Sequence, residues 1–105
     1  RQSAVESFQI LSGATQSSNL GIAGMAWGEL ETPAALTGTT ISIEGLSGDG
    51  STWLPILDKY GTAQSVTFVA SRKIRLPDEV FGGQQIRFVC SSQGSDRTFY
   101  LHTKG

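Results

Sequence analysis

Short segments in which apolar and polar residues alternate recur along the whole chain and limit it to β architectures. Ile41 and Ile43 alternate with Ser42 and Glu44, which is the two-residue period of a half-buried strand. Such segments predict about eight short strands, over residues 8–11, 20–30, 39–44, 52–54, 66–70, 73–76, 85–90 and 97–102. The sequence therefore predicts an all-β protein, folded as an antiparallel β-sandwich or jelly roll.

Glycine and proline mark the expected turns and one short helix. The glycines on both sides of Asp49 predict a tight turn, so that residues 39–44 and 52–54 form a β-hairpin. Pro77, followed by two acidic residues, is typical of a helix start, but the segment has room for at most one or two helical turns. Three glycines interrupt the apolar run 20–30, which we interpret as one strand with a bulge or kink.

The length of the chain sets the scale of its core. With 105 residues, it is expected to form a single domain over residues 1–105. A chain of this size buries roughly 65% of the surface that it exposes when unfolded. The predicted core consists of Phe8, Ile10, Ile22, Ile41, Ile43, Trp53, Val66, Phe68, Ile74, Leu76, Phe81, Ile86, Phe88, Phe99 and Leu101.

The composition narrows the possible functions. Eight basic and nine acidic residues give a formal net charge of -1, so no overall field attracts nucleic acid or an anionic membrane. The apolar runs are much shorter than the ~20 residues that cross a bilayer, and residues 1–5 lack the apolar core of a signal peptide. One cysteine and one histidine provide neither an internal disulfide nor a structural zinc site. We therefore expect no cofactor, no nucleic-acid partner and no membrane partner.

Three residues near the C-terminus could be combined into a nucleophile, an orienting acid and a base: Cys90, Asp96 and His102. Strand alternation places Cys90 on the face that Ile86 and Phe88 share, and it turns His102 away from the core. A buried structural thiol and a surface histidine are the better interpretation, and we expect no enzymatic activity.

The acidic residues also have a structural interpretation. Glu29, Glu31 and Glu44 lie before or within strands without the marks of an acid/base pair, and we expect them to be solvated. Asp49 and Asp58 lie in loops that lack the ordered acidic series of an EF-hand. Both aspartates are expected to form turns, and no metal site is predicted.

Basic residues are concentrated at Arg72, Lys73 and Arg75, with Arg87 on a separate strand. One interpretation is that these charges cover a solvent-exposed face or guard a sheet edge. The other is that they dock onto an acidic protein surface, for which the planar guanidinium group of arginine is well suited. Both interpretations stay open at the level of sequence.

Two aromatic residues, Trp27 and Tyr100, are candidates for exposed positions. Aromatic side chains of this kind are enriched at protein interfaces, and they also stack on sugars. A place in the core is an equally good interpretation of Trp27.

Several stretches of the chain resemble small virion proteins encoded among the head genes of tailed bacteriophages. They are residues 33–45 (PAALTGTTISIEG), 49–55 (DGSTWLP), 66–72 (VTFVASR), 76–83 (LPDEVFGG), 86–87 (IR) and 96–98 (DRT). The resemblance spans roughly residues 33–101, and the order of the stretches is more specific than any one of them.

This resemblance implies a structural role in the virion. Proteins of this kind are β-sandwiches that decorate or cement the capsid by clamping neighbouring subunits of the major capsid protein. It implies a non-enzymatic protein that is made in the host cytoplasm and located on the capsid surface. We further expect a homo-oligomer, a dimer or trimer at a capsid symmetry axis. Its expected capsid contacts are Arg72, Lys73, Arg75 and Arg87, with Trp27 and Tyr100 as interface aromatics.

A second resemblance leads to an alternative function. Residues 49–53 (DGSTW), a turn before tryptophan, and residues 86–88 (IRF) look like the pattern of galactose-binding-like jelly rolls. Those domains often bind glycans through their loops, which implies a glycan-binding module, for example in host adhesion. A hydrolase is a distant third possibility.

Overall fold

Within residues 3–67 and 69–105, which the computed structural model describes, the chain forms nine strands and one short 3-10 helix. The strands are β1 (Ser3–Ile10), β2 (Leu20–Gly21), β3 (Trp27–Glu31), β4 (Thr40–Leu46), β5 (Trp53–Pro55), β6 (Ser65–Thr67), β7 (Lys73–Arg75), β8 (Gln85–Val89) and β9 (Arg97–Lys104). The 3-10 helix covers Asp78–Gly82 and follows Pro77. The prediction of an all-β fold with at most one or two helical turns is confirmed.

The strands are divided between two antiparallel sheets. The first sheet has the order β1-β9-β3-β7. The second has the order β2-β8-β4-β5, and β6 pairs with the beginning of β4 beside it. Apart from β6, this is the strand order of a jelly roll, in which the chain passes repeatedly from one sheet to the other.

The core lies between the sheets and is formed by alternate residues of their strands. Ile41 and Ile43 of β4 are fully buried, whereas the residues between and beside them face outward. A stack of three phenylalanine rings crosses the core: the Phe8 ring centroid lies 5.1 Å from that of Phe99 and 5.3 Å from that of Phe88. Since Phe8 and Phe99 belong to the first sheet and Phe88 to the second, the stack joins the two sheets.

The buried core contains most of the predicted residues. These are Phe8, Ile10, Ile22, Ile41, Ile43, Leu76, Ile86, Phe88, Phe99 and Leu101. Leu20, Leu30 and Val80 are also buried, although the predicted set lacks them. Phe68, which was in that set, lies outside the described residues.

Four residues of the predicted core are half-buried instead. Val66 and Ile74 lie on the short edge strands β6 and β7, where one side of each side chain stays open to solvent. Trp53 lies on β5 opposite an outward-facing residue of β4, so it covers the outside of the second sheet. Phe81 packs over Gly28, where an added Cβ would lie 2.7 Å from the phenylalanine ring.

The prediction of one kinked strand over residues 20–30 is wrong. The run contains β2 and β3, which belong to different sheets. A turn separates them, in which the Met25 amide donates to the Ile22 carbonyl at 3.0 Å. Gly24 in this turn has a φ of 80°, a conformation that glycine adopts without steric cost. The glycine therefore marks a crossing between sheets and not a bulge.

The predicted hairpin between β4 and β5 is confirmed, and Asp49 organises its turn. The pairing ends at Leu46 and Trp53. The Asp49 carboxylate accepts hydrogen bonds from the Ser47 hydroxyl and from the backbone amides of Ser51 and Thr52, at 2.9 and 3.2 Å. These bonds, that of the Ser47 hydroxyl first, hold the pKa of Asp49 well below its usual range.

Acid is expected to destabilise the protein partly through this turn. Because the pKa of Asp49 is lower in the folded chain than its unfolded value of about 3.9, the stabilisation is present above that pH and is lost as the pH falls below it. Thermal unfolding measured from pH 6 down to pH 2 is therefore expected to show a steeper loss of Tm for the wild type than for Asp49→Asn. Parallel Tm curves for the two proteins would contradict this role of Asp49.

Candidate functional site

The outer face of the first sheet carries a cluster of charged and aromatic side chains. Strand alternation turns Gly28 and Leu30 of β3 inward and the intervening residues outward. The same alternation applies to β7 and β9, where Leu101 is buried and His102 is not. The face consists of Trp27, Glu29, Glu31, Lys73, Arg75, Tyr100, His102 and Lys104, and we refer to it as the outer face.

Two cations bracket the Trp27 ring at one end of the outer face. The Arg75 guanidinium carbon lies 5.0 Å from the ring centroid, and Lys104 Nζ lies 4.7 Å from it. Both distances are in the range of cation–π attraction. Arg75 belongs to β7 and Lys104 to β9, and these strands lie on opposite sides of β3. Trp27 is therefore a half-buried residue of the outer face and not of the core.

Ion pairs cross the outer face between neighbouring strands. They are Lys73–Glu29 at 3.2 Å, His102–Glu31 at 2.8 Å and, at its border, Arg75–Asp78 at 2.9 Å. The expectation of solvated glutamates is therefore wrong for Glu29 and, on the second sheet, for Glu44, whose side chains are 26% and 23% exposed, whereas Glu31 remains 42% exposed beside His102. The side chains of Lys73 and Arg75 remain 53% and 51% exposed, so these cations are still accessible to a partner.

An open groove of about 390 Å³ runs along the outer face where β1, β9 and β3 lie side by side. Its lining includes Val5, Trp27, Glu29, Lys73 and His102. A groove with an indole and charges of both signs suits a peptide loop better than a purely apolar ligand.

The structure brings most of the sequence-predicted contact residues to one side of the molecule. Trp27, Tyr100, Lys73 and Arg75 lie on the outer face, with Tyr100 40% exposed. Arg72 precedes β7, lines a groove with Glu31 and Lys73, and donates to its neighbouring Ser71 carbonyl at 3.1 Å. All the predicted contact residues except Arg87 therefore lie on one side of the molecule.

Arg87, the exception, lies on the outside of the second sheet. Its Nε donates to Glu44 at 2.7 Å, and its guanidinium carbon lies 4.9 Å from the centroid of the Trp53 ring. The two charged side chains are only 22% and 23% exposed. Arg87 is thus engaged within the chain and separated from Arg72, Lys73 and Arg75 by the thickness of the sandwich.

The three residues considered for catalysis have different partners in the structure. Cys90 packs against the core, and burial raises the pKa of its thiol. Asp96 is exposed and accepts a hydrogen bond from the Ser12 amide at 2.8 Å. His102 lies on the outer face beside Glu31. The histidine lies at the surface, as predicted, whereas the thiol, predicted to be buried, is half-buried against the core.

Asp58 forms a turn, as predicted. Its carboxylate accepts bonds from the Tyr60 and Thr62 amides at 2.8 and 3.0 Å. Among the described residues, no three histidine, cysteine, aspartate or glutamate side chains are grouped so that they could hold a metal ion. No helix in the described ranges is both long and apolar enough to span a membrane.

Strand β5 and the loop that follows it expose apolar residues that sequence reasoning missed. Tyr60 is 80% exposed, and Leu54 and Leu57 are each 51% exposed. In the sequence these residues look like the continuation of a strand, since Leu54 and Leu57 flank Pro55 and Ile56. Leu57 and Tyr60 lie at the turn that Asp58 forms, and Leu54 lies on the edge strand β5.

Comparisons with known proteins identify the fold. No protein-family model matches the sequence, and no curated protein does. The crystal structure of the SPBc2 prophage-derived protein YomS is similar, with a TM-score of 0.60 over 98% of this chain and 95% of that chain, at 13% identity. The core of Drosophila NLP, whose structure concerns pentamer formation and histone binding, gives a TM-score of 0.38 at 12% identity, over 97% of this chain and 94% of that chain. The chain therefore shares its fold with a prophage-derived protein.

Proposed function

We propose that the chain is a structural, non-enzymatic virion protein of a tailed phage, which decorates or cements the capsid by bridging subunits of the major capsid protein. The observation that carries this proposal is the outer face, where two cations flank an indole on a sheet and further cations remain accessible. The likeness to a prophage-derived protein over nearly the full length of both chains supports a phage origin.

The chemistry of the outer face suits an acidic loop of a folded protein. A guanidinium group over the face of an indole keeps the N–H donors along its own edges, where they can pair with both oxygens of a carboxylate. The Arg75 guanidinium carbon lies 5.0 Å from the centroid of the Trp27 ring, and its side chain is half exposed. Tyr100 adds an exposed aromatic ring to the same surface. Arg, Trp and Tyr are the residues that most often dominate binding energy at interfaces.

Cementing also requires that many weak contacts act together. A domain of this size offers about 800 Å² to each partner, so one contact gives modest affinity. A symmetric dimer or trimer at a capsid symmetry axis would bind through several outer faces at once and gain effective concentration without a new type of contact. The major capsid protein and further copies of this chain are accordingly the proposed partners, and the capsid surface is the proposed location.

Charge reversal at Arg75 on the outer face and at Arg72 beside it is expected to weaken capsid binding. The double variant Arg72→Glu with Arg75→Glu should reduce the affinity for purified empty capsids at least about tenfold, or about 1.4 kcal/mol, because two attractive contacts become repulsive. The free energy of unfolding should change by no more than about 1 kcal/mol, because both arginines are exposed. Lys59→Glu, an exposed lysine on the β5–β6 loop, is the control for a general charge effect and should bind normally. The assay is co-sedimentation with capsids at several salt concentrations.

Two results would contradict the proposal. Unchanged binding of the double variant would remove the outer face from the mechanism. Absence of the protein from purified virions would exclude a cementing role, and a specific hit on a glycan array would then favour the glycan-binding alternative. Stoichiometric co-purification with virions, together with a higher resistance of the capsids to heat, is the expected result.

A further inference from the structure

The five strands at the edges of the two sheets differ greatly in how well they are protected. The edge strands β2, β5, β6 and β7 have 2, 3, 3 and 3 residues, whereas β1 has 8. Natural proteins protect edges by keeping them short or by placing lysine, arginine or proline there. β7 carries Lys73 and Arg75, and β5 ends in Pro55. These four edges are therefore protected against pairing with another chain.

The edge strand β1 is the least protected of the five, since it is long and its one protective feature is a single charge, Glu6, opposite the buried Leu101. It is paired with β9 in an unbroken register from Ser3 to Ile10, so it is regular over its whole length. It contains no proline or basic residue, and its single charge is Glu6. Within the described parts of the chain β1 pairs with β9 alone, so its second edge presents backbone N–H and C=O groups outward. Val5, on the same side of the first sheet as the outer face, is 62% exposed.

We propose that the chain forms a two-fold dimer in which β1 pairs antiparallel with β1 of a second copy. A second copy suits this edge because the strand supplies equal numbers of donors and acceptors and is almost uncharged, so it is complementary to itself. The first sheets of the two copies would then join into one continuous sheet of eight strands. Its order is β7-β3-β9-β1, followed by the same strands of the second copy in reverse order.

The symmetry of this arrangement restricts its register. Residues that lie opposite each other in an antiparallel pair have side chains on the same face of the sheet. A two-fold axis perpendicular to the sheet therefore places one residue of β1 opposite its own copy. Glu6 is disfavoured at this position because two like charges would face each other. Val5 and Ser7, on either side of it, are the positions that allow extensive overlap of the strands.

The dimer would also enlarge the outer face of the first sheet. A two-fold axis perpendicular to the sheet keeps both outer faces on the same side, so two copies of Trp27, Lys73 and Arg75 would face one partner surface. The inference thus extends the self-association in the proposed function, but it stands on the edge strand alone. A standard interface buries about 800 Å² on each partner, and pairing of two strands buries less than this. We therefore expect a weak dimer in solution, which joint binding to a capsid strengthens.

Sedimentation velocity of the full chain at increasing concentration, without capsids, tests the dimer. The average mass should rise from monomer towards dimer, and Val5→Lys should weaken association at least about tenfold, because it places a desolvated charge beside the edge. The control is Leu54→Lys on β5, a leucine of similar exposure at an edge of the other sheet, which should associate like the wild type. A protein that stays monomeric up to about 1 mM, or a dimer weakened by Leu54→Lys and not by Val5→Lys, would overturn the proposal.

Cysteine cross-linking tests the register. In a Cys90→Ser background, Val5→Cys or Ser7→Cys should form an intermolecular disulfide under mild oxidation, since one of these residues faces its own copy. Gln9→Cys, on the same strand and face, lies opposite a different residue and should cross-link weakly. Strongest cross-linking at position 9, or equal cross-linking at all three, would overturn the proposed pairing. Capsid binding by Val5→Lys is measured separately, so that loss of the dimer and loss of capsid recognition are distinguished.

Discussion

Replacing Phe8 with alanine is expected to lower the free energy of unfolding by about 3–5 kcal/mol. The Phe8 ring is 5% exposed and lies nearly parallel to the rings of Phe99 and Phe88, at interplanar angles of 7° and 8°. Its removal breaks two ring contacts and leaves a cavity between the sheets, and each aromatic pair contributes about 0.5–1.5 kcal/mol beyond burial. Small domains have total stabilities of about 5–15 kcal/mol, so this single change removes a large share.

Urea unfolding followed by tryptophan fluorescence measures this effect. Phe8→Leu should cost distinctly less than Phe8→Ala, because it keeps most of the apolar volume, and it remains measurable if the alanine variant fails to fold. Tyr100→Ala on the outer face is the control, since this exposed ring should affect stability much less. A loss below about 1 kcal/mol for Phe8→Ala would show that the stack does not hold the sheets together.

Local alternation explains how much of the fold could be predicted. The inward positions of Ile41, Ile43, Phe99 and Leu101 follow from the two-residue period of their strands, and the structure buries all four. The turn at Asp49 was also predictable from local sequence, because its residues contact each other within the hairpin.

Features that depend on distant partners could not be predicted. β1 extends back to Ser3, beyond the predicted residues 8–11, because β9 pairs with it as far as Lys104. Likewise, the sequence around Gly24 is equally consistent with a bulge within a strand and with a turn between sheets. The pairing of β2 with β8 shows that it is a turn between sheets.

The candidate site was predictable as a set of residues but not as a surface. Trp27 and Tyr100 were identified by type, and their common face depends on the register between β3 and β9. Arg87 was grouped with Arg75 because both are basic, yet β8 and β7 belong to different sheets. Its ion pair with Glu44 also depends on the register of β4 and β8, which no local pattern reveals.

Gln93 is a further residue whose role sequence reasoning missed, and its replacement with alanine is expected to cost about 2–4 kcal/mol. The side chain is 2% exposed and joins two loops. Its Nε2 donates to the carbonyl oxygens of Thr37 and Ser91 at 2.9 and 2.8 Å, and its Oε1 accepts from the Thr37 amide at 3.0 Å. The alanine variant would leave these backbone groups without the side chain that now binds them.

Comparing Gln93→Ala with Gln93→Glu separates the contribution of the hydrogen bonds to stability from that of the side-chain volume. A carboxylate has nearly the same shape, but it presents an oxygen where Nε2 donates to two carbonyl groups. Gln93→Glu should therefore be destabilised at pH 7 and partly rescued at lower pH, where protonation of the introduced carboxyl restores a donor. Gln84→Ala, an exposed glutamine in another loop, is the control and should change stability by no more than about 0.5 kcal/mol. If Gln93→Glu unfolds at the same urea concentration as the wild type at pH 7, the hydrogen bonds of Gln93 do not hold the two loops together.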